Sequence, residues 1–250
     1  MISIVENYYF LVQKFQAIEK GSGTDEIHDK RVILRRIFPL LSVYGIKPSK
    51  VKNGEKAFKL FGKLRDIQVQ LEKLKKSSLT VELTEYRFFL KKQETKLQAK
   101  VQKFSKNKEI MFPKPDKKQL IDKVKLASKA NKQLQKLVEK IQSLAIADAS
   151  DIHVLRIEFK KYRYLVEILA LVENIDEEKI SKLKTYQDLL GEIQDYEVLM
   201  NGIKAYCKRK KLPDIDIDGL IDKQNSLIET FENQTEKFVD VCMNVLEYKA

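Results

Sequence analysis

The sequence predicts an all-α protein of two four-helix halves related by duplication. Three observations predict it. Apolar residues recur at three- and four-residue steps through long segments rich in Leu, Lys, Glu and Gln, the pattern of amphipathic helix. Breakers are scarce, eight glycines and five prolines in 250 residues, so the places where they gather mark the turns. Both histidines of the chain fall inside one phrase, IHDKRVILRR at 27–36 and IHVLRIEFKK at 152–161, which points to duplication.

The breaker clusters are GSGTD (21–25), YGIKPSK (44–50), KKSSLT (75–80), MFPKPDK (111–117), ADASD (147–151), VENIDEEK (172–179) and KLPDIDIDG (211–219). They leave eight long helices, at 2–20, 24–45, 50–76, 79–107, 117–146, 150–172, 177–210 and 216–248, with edges good to a few residues. In the first, MISIVENYYFLVQKF, Glu6 and Asn7 interrupt the apolar run and no basic leader precedes it, a poor signal peptide. The second opens on Thr24 or Asp25 as its cap, the fourth on Thr80 and the sixth on Ser150 or Asp151. Pro39 lies inside the second helix, where it removes one backbone bond. The apolar period runs on through Leu40, Leu41 and Tyr44, so Pro39 is expected to bend the helix without ending it. Short connections between long helices imply antiparallel neighbours. The Pro-containing segment 108–116 separates the first four helices from the rest, giving halves at 1–112 and 113–250.

The duplication extends to a second phrase. His28, Arg31, Val32, Arg35 and Arg36 align with His153, Arg156, Ile157, Lys160 and Lys161. GKLRDIQV (62–69) and GEIQDYEV (191–198) share G-x-x-x-D-x-x-V, each on the helix after its histidine helix. The first pair is offset by 125 residues and the second by 129, an insertion of four in the intervening hairpin. Internal repeats set architecture.

Each residue of a helix advances about 100°, so Arg31 and Arg35 lie within about 60° of His28, and Arg36 about 80° to the other side. Ile33, Ile37, Leu40 and Leu41 gather opposite. In the second copy His153, Arg156, Lys160 and Arg163 share a face with Lys161 on its flank, and Leu155, Phe159, Tyr162 and Val166 oppose them. Like charges stacked at i and i+4 destabilise an isolated helix by a few tenths of a kcal/mol per pair. An anion lying across the stripe relieves that repulsion. Arginine suits phosphate through its planar two-donor fork, lysine adds a point charge, and histidine adds a donor that a nearby anion keeps protonated.

Taken together, the two histidine phrases with FGKLRDIQV and LGEIQDYEV resemble the CHAD family, the conserved-histidine α-helical domain, over essentially the whole chain. The resemblance implies two four-helix bundles related by an internal pseudo-two-fold, with a shared basic central surface. It also implies non-catalytic binding of inorganic polyphosphate, with no cofactor, and an association with polyphosphate granules or polyphosphate-metabolising enzymes. On this basis His28, Arg31, Arg35, Arg36, His153, Arg156, Lys160 and Lys161 are expected to bind polyphosphate, with Arg163 on the same helix face. Lys63 and Arg65, beside the second phrase, are further candidates. Asp66 and Asp195 would repel an anion and are expected to orient Arg or His from behind. Gly62 and Gly191 are expected to permit close helix packing. The chain departs from an arginine-rich pattern at Lys160 and Lys161, and at Gln194, where the first copy has Arg65.

Composition agrees with an anionic partner. Lys and Arg number 48 against 36 Asp and Glu, a formal net charge of +12. Two further lysine rows, Lys92, Lys96, Lys100, Lys103 and Lys125, Lys129, Lys132, Lys136, are read as ordinary solvated faces. The basic rows lack interleaved aromatics, and no helix-turn-helix or RRM-like signature accompanies them, so nucleic acid is not expected. Cys207 and Cys242 read as reduced thiols, and no zinc-type spacing or membrane-length apolar stretch occurs. A cytoplasmic location is expected. HD in IHDKR suggests a metal phosphohydrolase, but the second copy reads HV and no third histidine exists. The phosphate-loop, zincin and serine-hydrolase motifs are missing. Nor is there a strand-rich segment like the β-barrel catalytic domain sometimes fused to CHAD domains. The expectation is a stand-alone binding module, with histidine phosphotransfer at His28 and general nucleic-acid or polyanion binding as the rival readings.

Overall fold

A computed structural model describes residues 3–18, 23–75, 81–116, 122–143 and 149–246. Among them the chain forms α1 (Ile4–Ala17), α2 (Thr24–Val43), α3 (Gly54–Lys75), α4 (Val81–Asn107), α5 (Lys123–Ser143), α6 (Ala149–Leu169), α7 (Glu177–Lys210), α8 (Asp218–Glu232) and α9 (Thr235–Val245). A single 3-10 turn, Pro48–Lys50, precedes α3, and no strand is present among the described residues.

Among the described residues the expected eight helices thus become nine. The helix expected at 216–248 breaks at Asn233 and Gln234, where the Gln234 N–H turns back to the Phe231 carbonyl at 3.0 Å. Neither residue is a strong breaker, and the apolar period runs across the break, so the sequence carried no signal. Pro39 behaves as expected, with α2 continuing past it to Val43. The α2 cap sits one residue earlier than expected. Gly23 caps α2, its N–H donating to Glu26 Oε2 at 3.1 Å, and Thr24 is the first helical residue. α6 begins at Ala149, which puts Asp151 inside the first turn, where a carboxylate still complements the helix dipole. Thr80 lies outside the described residues.

Two compact units emerge. The first holds the described residues up to 116 together with 202–215, and the second holds 122–201 and 216–246. In the first, α1 packs on α2, α2 on α3 and α3 on α4. Ile27, Ile37 and Leu41 of α2 and Leu64 of α3 are completely buried. Tyr86 on α4 donates its hydroxyl to Gln70 Oε1 at 2.6 Å in the interior. In the second, Leu155, Phe159, Tyr162 and Val166 of α6 share one core with Leu183 and Leu190 of α7, Phe231 of α8 and Phe238 of α9. Phe238 sits edge-on to Phe159 and Phe231 at 4.8 and 5.4 Å. Tyr162 donates to the Cys242 carbonyl at 2.5 Å, and burial raises its pKa far above that of a free phenol. These stripes, buried on one side of α2 and α6, turn the basic stripes outward.

Candidate functional site

In the first unit His28 and Arg36 are exposed and Arg31 and Arg35 half-buried, while Ile33 and Leu40 on the opposite side are buried. Arg31 crosses to α3. Its guanidinium lies over Gly62, so that a Cβ there would sit 3.6 Å from Nη2. Beyond the glycine, Arg31 Nη1 reaches Asp66 Oδ1 at 3.8 Å, and the group stands 5.6 Å from the Phe58 ring. Asp66 thus lies at the side of the Arg31 guanidinium.

The second unit repeats the arrangement. Arg156 of α6 crosses to α7 and lies over Gly191, with Nη2 and Nε 3.8 and 3.9 Å from the position of a Cβ. The glycine of G-x-x-x-D-x-x-V thus makes room for the arginine of H-x-x-R in both copies. This sharpens the expectation of close helix packing: the nearest side-chain atoms to each glycine belong to a guanidinium. Asp195 is half-buried on α7 one turn further on.

The residue before the aspartate separates the copies. In the first it is Arg65, whose charge lies close enough to His28 to act on it. Burial first, then Arg65, hold the His28 pKa below its ordinary value, and Arg35 and Arg31 add to the effect against Asp29. His28 is therefore neutral near pH 7. In the second copy the residue is Gln194, whose Oε1 accepts a hydrogen bond from His153 Nδ1. That bond to a carbonyl oxygen takes up the Nδ1 hydrogen of His153.

Two further cations of α6 are paired from their own helix. Lys161 Nζ contacts Glu158 Oε1 at 2.5 Å, and Glu158 is fixed in turn by Gln133 Nε2 at 2.8 Å. Those partners, Lys161 foremost, lower the Glu158 pKa. Arg163 is only 6% exposed, and its Nε and Nη2 both donate to Glu167 Oε1, at 3.0 and 2.6 Å. It shares the helical sector of His153 but not the solvent, so it serves the second unit's interior. Lys160 is half-buried and partnered. On α3, Lys63 is exposed and Arg65 half-buried. The lysines of both additional rows, on α4 and α5, are exposed, as solvated faces should be.

One basic residue was overlooked. Lys30 is 4% exposed, and burial lowers its pKa. It stands one turn before Leu34 and two before Ile37 on the apolar stripe of α2, and that spacing was the signal for its burial. Among the described residues no helix is long and apolar enough to cross a membrane, and no cluster of three metal-ligating side chains occurs.

These features define an all-helical protein with a histidine–arginine row repeated on two helices, each row keyed to the following helix by an arginine over a glycine. The CHAD domain model matches residues 10–202, and the chain belongs to the CHAD family. The crystal structure of the CHAD domain from the plant Ricinus communis resembles it with a TM-score of 0.56 at 13% identity, over 99% of this chain and 90% of that one, a likeness of fold. PptA from Streptomyces chartreusis gives a TM-score of 0.45 at 13% identity, over 98% of this chain and 95% of that one. No curated protein matches the chain.

Proposed function

We propose that this protein binds inorganic polyphosphate, non-catalytically, through the His28 and His153 rows. The observation that supports this most is the repeated geometry. Two units independently place a histidine, an arginine over a glycine and flanking cations on one helix face. A row of fixed donors suits an anion that is itself a row of charges, because each phosphate adds charge-assisted hydrogen bonds to those already made. Neutral His28 supports the same reading. It can take up a proton when an anion neutralises the arginines around it, turning an acceptor-bearing ring into a double donor. Family membership and the net charge of +12 agree. A cytoplasmic, granule-associated setting is part of the proposal.

The test is titration of the purified chain with polyphosphate of defined length at physiological salt, with triphosphate, phosphate and duplex DNA as competitors. Preference for long polyphosphate over DNA of equal phosphate content supports the proposal. Equal competition by DNA points to general polyanion binding, and no binding with transfer of a phosphoryl group to His28 points to phosphotransfer.

A further inference from the structure

The two rows look alike in sequence, yet their charge is differently disposed. Among the described residues, no carboxylate lies within ion-pair distance of Arg35, Arg36, Lys63 or Arg65 in the first unit. Arg65 of α3 and Arg35 of α2 lie close enough to His28 to act on its charge, and all four cations are exposed or half-buried. In the second unit the counterparts are weakened one by one. Gln194 replaces Arg65 and spends its carbonyl on His153. Lys161, in the place of Arg36, is bound to Glu158, and Arg163 is buried against Glu167. An anion approaching the second row meets two carboxylates that must first be displaced or tolerated. One approaching the first meets cations whose mutual repulsion it relieves.

We infer that the two rows are unequal: the first unit, through His28, Arg35, Arg36, Lys63 and Arg65, is the principal anion site, and Glu158, Glu167 and Gln194 hold the second in reserve. This rests on the polyphosphate reading and assigns Arg65 as the residue that makes the difference. Arginine there adds a planar two-donor group beside the histidine, and glutamine consumes the histidine's Nδ1 donor instead.

The experiment uses the full chain and polyphosphate of one defined length, with affinity measured calorimetrically across a salt series and folding checked by circular dichroism. Arg65→Gln alone should weaken binding about tenfold, the worth of one charge-assisted contact, and flatten the salt dependence. Replacing Arg35, Arg36, Lys63 and Arg65 together by Gln should cost on the order of a hundredfold or more. Lys160→Gln with Lys161→Gln should cost only a few-fold, since Lys161 is already neutralised. Gln194→Arg combined with Glu158→Gln should strengthen binding by making the second row resemble the first. Equal losses from the two rows, or no gain from the Gln194→Arg and Glu158→Gln pair, would overturn the inequality and leave the polyphosphate reading standing. Failure of the parent chain to bind polyphosphate would overturn both.

Discussion

Two glycines with the same freedom from a side chain serve different ends. Gly202 faces the buried Tyr86–Gln70 hydrogen bond, and a Cβ there would overlap the Tyr86 hydroxyl and lie 2.6 Å from Gln70 Oε1. Gly202→Ala should push that pair apart and destabilise the fold by about 1–3 kcal/mol, the cost of an unsatisfied buried polar group. Thermal unfolding checks it, with an expected fall of about 2–4 °C per kcal/mol for a chain of this size. Gly62→Ala should be tolerated, because its nearest neighbour stands at an ordinary 3.6 Å and alanine favours helix by about 1 kcal/mol. Gly62→Leu should displace Arg31 and weaken anion binding. The residue scale also holds a pH signature. The folded chain holds His28 below its ordinary value near 6.5, so the unfolded chain takes up the proton first as pH falls. His28 thus favours the fold above pH of about 6.5, and that contribution is lost as pH drops toward its own depressed pKa. Polyphosphate bound beside His28 should reverse the shift. Histidine NMR titration should show His28 moving upward on adding polyphosphate and upward again in Arg65→Gln without ligand. A static His28 would separate it from the anion.

At the scale of a helix, α6 shows why a wheel diagram is an incomplete map of a binding face. His153, Arg156, Lys160 and Arg163 share a sector, but packing by neighbouring helices covers its end and encloses Arg163 with Glu167. Glu167→Gln should leave that guanidinium buried and uncompensated, destabilising by about 3 kcal/mol. Arg163→Met should keep polyphosphate affinity, since Arg163 faces the interior. A large loss of binding with an unchanged melting temperature would return Arg163 to the site. The same reasoning runs in reverse on α2, where the stripe spacing marks Lys30 as interior although its residue type argues for solvent. The α8–α9 break was illegible for a related reason. Phe231, Phe238, Cys242 and Val245 keep a continuous apolar period, and packing around Phe238 coincides with an interruption that local propensity does not encode.

For the whole molecule the deciding quantity is charge. A net +12 carried in rows predicts affinity that falls steeply with added salt, as counterions released on binding gain less entropy in a more concentrated salt. Calorimetry from low to physiological salt should give a linear fall in log affinity, and a flat response would reject the electrostatic mechanism. Replacing Arg31, Arg35 and Arg156 together by Ala should weaken binding at least as much as Arg65→Gln does while the chain stays helical, because the apolar stripes on the opposite faces of α2 and α6 are untouched. Undiminished binding would move the site to the lysine rows of α4 and α5.

The all-helical class, most helix boundaries apart from the start of α5 and the α8–α9 break, the family and the histidine–arginine rows were legible in the chain itself. Those features depend on local periodicity, on breakers and on repetition, and each is written in consecutive residues. Tertiary structure alone decided which cations retain an unopposed charge. Glu158 and Glu167 stand near Lys161 and Arg163 in sequence, but ion pairing depends on rotamer and burial, which neighbouring helices set. It also decided that Gly62 and Gly191 receive Arg31 and Arg156, and that Arg65 and Gln194 occupy the same place beside a histidine with opposite consequences. The repeat is spelled twice in the sequence; the difference between its copies arises where one helix meets the next.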